Sequence, residues 1–215
     1  MDEVAPRIGG SSPLPKIISV DDHVVEPAHL WQTWLPPKYR DRGPRSERRG
    51  IGHMKHIGGG TYRQSFDADE PMADCRVYED FVYVNKRHVA AVGFNRDDMT
   101  MSPITYEEMR PGCYEPKSRI ADNEANWVEA SLCSPTFPRF CGQTFLDAKD
   151  RELAEACVVA YNDWMMEEWC GDSGRRPNPA LSNSTVGTPL RRQPRFVATR
   201  SGGCVPFASV RFRPI

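Results

Sequence analysis

The stretch KIISVDDHVVEPAHLWQTWLPP, residues 16–37, decides the fold. Ile17, Ile18, Ser19 and Val20 form a short β-branched run that stops at Asp21, Asp22 and His23. A buried strand whose C-terminal end opens onto a polar site has this pattern. The next segment, Glu26 to Trp31, reads as a turn into a short helix carrying Leu30, Trp31, Trp34 and Leu35, stopped by Pro36 and Pro37. Asp21 and His23 are two apart on a strand, so their side chains share a face while Asp22 takes the other. A carboxylate and an imidazole so placed suit a divalent ion such as Zn²⁺, and the ends of barrel strands are where such sites are built. The plainer reading of D-D-H is a polar strand-to-loop transition in which Asp21 caps a turn.

Outward from this stretch, residues 1–15 are rich in Gly, Ser and Pro and read as a mobile arm. Residues 41–120 read as a long irregular excursion: a basic patch (Arg42, Arg45, Arg48, Arg49), a Gly58-Gly59-Gly60 turn, an alternating aromatic run from Val77 to Val84, and several breaks at Pro and Gly. Such excursions decorate a larger scaffold and border functional sites. His53 and His56 precede the glycine turn and are expected in a loop, and His88 in a solvated or packing role.

A second strand is expected over Trp127 to Cys133, closed by Ser134-Pro135-Thr136-Phe137-Pro138. A helix follows, with Asp147 as its cap, Asp150 in its first turn, and Leu153, Ala156, Cys157, Ala160, Tyr161 and Trp164 forming one apolar stripe. Trp164, Met165, Met166 and Trp169 are assigned to packing. Strand, long connection, strand, loop and amphipathic helix is the rhythm of an α/β protein with a parallel sheet. Arg139, in the loop after the second strand, is the candidate for binding a substrate carboxylate.

Composition narrows the function. The chain has 215 residues, 28 Lys+Arg and 29 Asp+Glu, enough for one globular domain. The charge is uneven: residues 1–170 hold 20 basic and 28 acidic residues, net −8, and residues 171–215 carry eight Arg and one acid, net +7. An acidic body repels phosphate backbones, so nucleic acid is not an expected partner. No stretch has the ~20 apolar residues of a membrane span, and the N-terminus has no secretory pattern, so no membrane association is expected and the cytoplasm is the expected compartment. The seven Cys, among them Cys133 and Cys141, show no CxxC spacing and read as reduced, mostly buried thiols.

Several stretches together resemble the amidohydrolase-related branch of the amidohydrolase superfamily, which consists of metal-dependent TIM barrels. They are IISVDDHVVEPAHLWQTWLPPKYRDR (17–42), MKHIGGGTY (54–62), KRHVAAVGF (86–94), PITYEEMRPGCY (103–114), WVEASLCSPTFPRFCGQTF (127–145) and YNDWMMEEWCGDSG (161–174). The resemblance runs from about Lys16 to Gly174. It implies a partial TIM (β/α)8 barrel containing the first two or so βα units and a long irregular insertion. It further implies a divalent metal, zinc first, held in part by Asp21 and His23, with Glu26 stabilising a loop. The implied activity is amide or ester hydrolysis, or decarboxylation, of a small-molecule substrate, and a homo-oligomer is allowed. The family's further His and Asp ligands have no counterpart here. A whole barrel takes about 250 residues, so a truncated enzyme, inactive as it stands, is expected. A remnant or small interaction protein using a basic tail is the alternative.

From Arg175 onward the sequence has no acid, no helical period and no β alternation, the mark of a disordered basic arm. A second reading exists. The codons permitted for residues 177–186, read from the second base, and those from residue 190 onward, read from the third, allow an apolar strand and then a helix and strand. Residues 175–215 are therefore expected to be out of frame.

Overall fold

The computed structural model describes residues 15–58, 61–139 and 142–171. The expectations for the N-terminal arm before residue 15, for Cys141, and for the basic tail lie outside the described residues. The fold is mixed α/β, with one parallel and one antiparallel sheet. Strand β1 (Ile17–Val24) pairs in parallel with β6 (Val128–Pro135). Between them come helix α1 (Leu30–Trp34), strands β2 (Arg45–Gly58), β3 (Thr61–Phe66), β4 (Met72–Tyr78) and β5 (Phe81–Val84), and helix α2 (Pro116–Ala125). Helices α3 (Gln143–Leu146) and α4 (Arg151–Trp164) follow β6.

The excursion over residues 41–120 is not irregular. It carries the four-stranded antiparallel sheet β3-β2-β4-β5, and α2 closes it. Strand β2 escapes a pattern search because it is held by charge more than by apolar alternation. Arg48 grips the buried Asp74 of β4 with two bonds, Nε to Oδ1 at 3.0 Å and Nη2 to Oδ2 at 2.9 Å. A fork-on-carboxylate pair is the strongest form of such a contact.

Strand β2 also changes partner along its length, pairing with β4 as far as Gly50↔Met72 and with β3 from Ile51↔Phe66. Gly50 marks the switch, where a Cβ would lie 1.8 Å from the carbonyl oxygen of Asp67. Only glycine lets the backbones approach so closely. His53 and His56 thus stand on a strand, not in a loop. Its far end at Gly58, with φ of 103°, has the left-handed backbone that glycine permits at a turn. The alternating aromatic run from Val77 to Val84 forms the β4–β5 hairpin, turning at Glu79 with φ of 49°.

The main core lies between α1, α4 and the segment after β6. Trp31 is its hub, with Phe137, Phe145 and Tyr161 at ring-centroid distances of 5.3, 6.0 and 6.3 Å, and its indole N–H bonds the Cys157 carbonyl at 3.1 Å. The stripe from Leu153 to Trp164 is buried as expected, apart from the half-buried Ala156. Helix α4 begins three residues later than a cap at Asp147 would set it. Its cap is Asp150, whose carboxylate accepts the Leu153 N–H at 3.0 Å, so Asp147 is not the cap. After Trp164 the helix widens into a π turn over Met165–Trp169, closed by Cys170 N–H to the Met165 carbonyl at 3.0 Å.

The expectation of a buried first strand fails in part. Ile17, Ile18 and Val20 are 54%, 65% and 68% exposed. Among the described residues the parallel sheet has only the strands β1 and β6, too few to cover these side chains.

Candidate metal centre

Asp21 and His23 lie near the C-terminal end of β1, and both are exposed. The strand does not simply alternate there. Opposite β6 the register runs Ser19↔Ser131 and then Asp22↔Cys133, so β1 carries one extra residue in that interval, beside Asp21. Asp22 is half-buried and occupied: its Oδ1 accepts the Ser19 hydroxyl at 2.8 Å, and Arg119 Nη1 stands 3.9 Å from its Oδ2. Asp22 therefore serves the fold, leaving Asp21 and His23 at the surface of the same strand end.

Glu26 supports the site from below. It is 2% exposed, and its carboxylate accepts two backbone N–H groups, those of Thr136 at 2.9 Å and Phe137 at 3.0 Å. Burial raises the Glu26 pKa, an effect opposed by these amides and by the Arg76 charge. The loop after β1 is thereby fastened to the loop after β6. This is the loop-stabilising role expected of Glu26, and its carboxylate is committed to it.

No family model matches the chain, and no curated protein does. Among solved structures it is similar to the crystal structure of an amidohydrolase from Mycobacterium avium subsp. paratuberculosis K-10, at 19% identity and a TM-score of 0.45, covering 80% of this chain. The chain spans 42% of that protein's length.

Among the described residues no group of three or more His, Cys, Asp and Glu is arranged to hold a metal ion. A catalytic zinc uses three protein ligands and a structural one four. Asp21 and His23 offer two, so the described residues do not fit a complete zinc site. No helix among them is long and apolar enough to cross a membrane.

Arg139 is exposed, with a left-handed φ of 63°. It lines a cavity of about 290 Å³ with Tyr78, Glu79, Phe81 and Lys149, whose walls include neither Asp21 nor His23. The Glu79 carboxylate there accepts the backbone N–H of Lys149 and of Asp150, and Asp80 pairs with the Lys149 ammonium. The phenol of the nearby Tyr83 is pushed up to about 12 by burial, with Glu26 adding to the effect and Arg139 opposing it. His53, His56 and His88 are all exposed and lie apart from β1 on other elements.

The residue that organises the strand end was not legible in advance. Arg119 of α2 donates to the Gly112 carbonyl at 2.7 Å and to the His23 carbonyl at 2.6 Å, and its guanidinium lies 5.7 Å from the Trp169 ring centre. It ties α2, β1 and the π turn together. Its helix, PKSRIADNEA, has few apolar residues, and the leading Pro116 after Glu115 is the one sequence sign of a helix start.

Proposed function

We propose that this chain carries the opening portion of a metal-dependent amidohydrolase-type (β/α)8 barrel. Asp21 and His23 would be its first-strand ligands, and the described residues by themselves do not complete a centre. The observation that carries this reading is the parallel pairing of β1 with β6, with both donors exposed near the C-terminal end of β1. The uncovered Ile17, Ile18 and Val20 add support, because further strands of a closed barrel would cover such side chains. A divalent metal, zinc first, is the implied ion. Hydrolysis of an amide or ester, or decarboxylation, of a small molecule is the implied chemistry of the complete enzyme, with Arg139 as a candidate for its carboxylate.

The test is paramagnetic. Mn²⁺ added to the isotope-labelled chain should broaden amide signals around Asp21 to Val24 and Ser134 to Thr136, and Asp21→Ala and His23→Ala should each remove the effect. Broadening that survives both substitutions, or that centres elsewhere, overturns the assignment. The out-of-frame reading of residues 175–215 belongs to the same proposal. Resequencing the coding DNA from codon 165 onward should restore a frame carrying further His and Asp residues. A confirmed frame favours the second reading, a non-catalytic remnant, which the count of two donors among the described residues supports.

A further inference from the structure

The two-stranded parallel sheet has an uncovered side. Among the described residues β1 pairs only with β6, so its other edge meets no strand. The Ile17 N–H bonds to the Trp127 carbonyl at 3.0 Å, which fixes the direction of the backbone groups. Alternate residues of a strand present their N–H and C=O to opposite edges, so those of Ile18 and Val20 face away from β6. Their side chains are bare as well, 65% and 68% exposed. Strand β6 is less open, with Ser131 and Cys133 buried. An uncovered edge of the first kind is a template for another strand.

The sequence of this edge is complementary to itself. It runs from a cation, Lys16, through Ile18 and Val20 to the acids Asp21 and Asp22. Lys16 rests over the Trp127 ring, 5.1 Å from its centre, and neither Lys16 nor the exposed Asp21 has an ion partner among the described residues. Two antiparallel copies of a strand are related by a two-fold axis perpendicular to the sheet, and the residue on that axis sets every other pair. With Ser19 on the axis, Ile18 opposes Val20 of the second copy, and both exchange N–H and C=O across the free edge. Lys16 then lies opposite the copy's stretch after Val20, where the extra residue of β1 sets Asp21 and Asp22. With Ile18 on the axis Lys16 would oppose Val20, and with Val20 on the axis Ile18 would oppose Asp22. A parallel copy in step would set Lys16 beside Lys16 and Asp21 beside Asp21. Only the centre at Ser19 matches both the apolar and the charged side chains.

We propose that β1 pairs antiparallel with β1 of a second copy of this chain, about a two-fold axis at Ser19, giving a four-stranded sheet β6-β1-β1-β6. Opposed β-branched residues and opposed unlike charges both favour such pairing. The bulge beside Asp21 ends it. The joined segment, Lys16 to Val20, is short, so the dimer is weak and depends on concentration. In a completed barrel another strand would take this edge, so the dimer belongs to the 215-residue chain. No metal takes part.

The test is sedimentation equilibrium of the full chain from about 10 μM to about 1 mM. EDTA is present throughout, so that Asp21 and His23 cannot join copies through a metal. A monomer–dimer equilibrium with no larger species is expected. Lys16→Glu should weaken it about fivefold or more, and Asp21→Lys added to Lys16→Glu should restore it. In the unaltered chain the Ile18 and Val20 amides should become protected from hydrogen exchange as concentration rises, a readout that stands even where a variant fails to fold. A monomer throughout, open-ended assembly, a dimer indifferent to Lys16→Glu, or one that leaves those two amides unprotected would each overturn the proposal. A dimer formed only with Zn²⁺ in place of EDTA would overturn it too, and would leave the metal assignment of Asp21 and His23 standing.

Discussion

Arg76 and Glu26 meet through the main chain: the Arg76 guanidinium donates to the Glu26 carbonyl oxygen at 2.8 Å, while the Glu26 carboxylate is taken by the amides of Thr136 and Phe137. Arg76 is 4% exposed and also reaches the Pro27 and Ala28 carbonyls, at 3.1 and 3.2 Å. One residue therefore joins β4 of the antiparallel sheet, through its backbone, to the end of the parallel sheet, through its side chain. Glu26→Ala would strand two buried N–H groups and remove a carboxylate whose charge interacts with that of Arg76. A loss of about 3 kcal/mol or more is expected in urea unfolding, with Glu26→Gln intermediate.

The same carboxyl sets a pH trend. Its folded-state pKa is raised above the ordinary 4.5, so the folded chain holds its proton more tightly than the unfolded chain. Its contribution to stability is full below 4.5 and is lost as pH rises through the folded value. Subtracting the Glu26→Gln stability profile from the wild-type profile should leave a difference that falls with rising pH from about 4.5. A flat difference would place the proton elsewhere.

Helix α4 supplies a comparison between two aspartates three residues apart. Asp150→Ala should lower the urea midpoint and Asp150→Asn should restore most of it, because asparagine also caps. Asp147→Ala should leave the midpoint alone. The Leu153 amide lowers the Asp150 pKa below 3.8, so the cap's contribution is present above that pH and lost as pH falls.

Trp31 makes three ring contacts, a hydrogen bond to the Cys157 carbonyl and a contact with the Arg76 guanidinium, so its truncation should be severe. Trp31→Ala is expected to cost about 3–5 kcal/mol, and Trp31→Phe less, since a six-membered ring remains while the pyrrole part and its bond to the Cys157 carbonyl go. Chemical denaturation of the two variants checks the order.

The open face of β1 separates this chain from a closed barrel. Ile18→Thr and Val20→Thr should each change stability by no more than about 0.5 kcal/mol here and should reduce self-association seen by light scattering. In a complete barrel the same substitutions should cost about 1–3 kcal/mol, because the side chains would then be buried.

Much of the parallel unit was legible, for physical reasons. The run from Ile17 to Val20 is a continuous β-branched stretch and the stripe from Leu153 to Trp164 carries the helical period of 3.6, and the proline pair after Leu35 ends α1 where expected. What escaped was held by charge. Strand β2 rests on pairs such as Arg48 with Asp74, and Arg119 acts on backbone carbonyls that no sequence pattern advertises. The candidate pair Asp21 and His23 could be named from spacing, but whether the strand between Ser19 and Asp22 keeps step could not.

That loss of step has a counterpart. Between Ile17 and Ile18 of β1 the partner strand passes from Val128 to Ala130, so β6 gains a residue there, and β1 regains it between Ser19 and Asp22. The two slips cancel, and both strands finish level at Val24 and Pro135. Strand phase is thus an adjustable variable at this spot. Deleting one residue between Ser19 and Asp22 would leave the composition almost untouched and yet exchange inside for outside in everything upstream. No point substitution can do that, so length, more than residue identity, is the quantity most tightly fixed in this short segment.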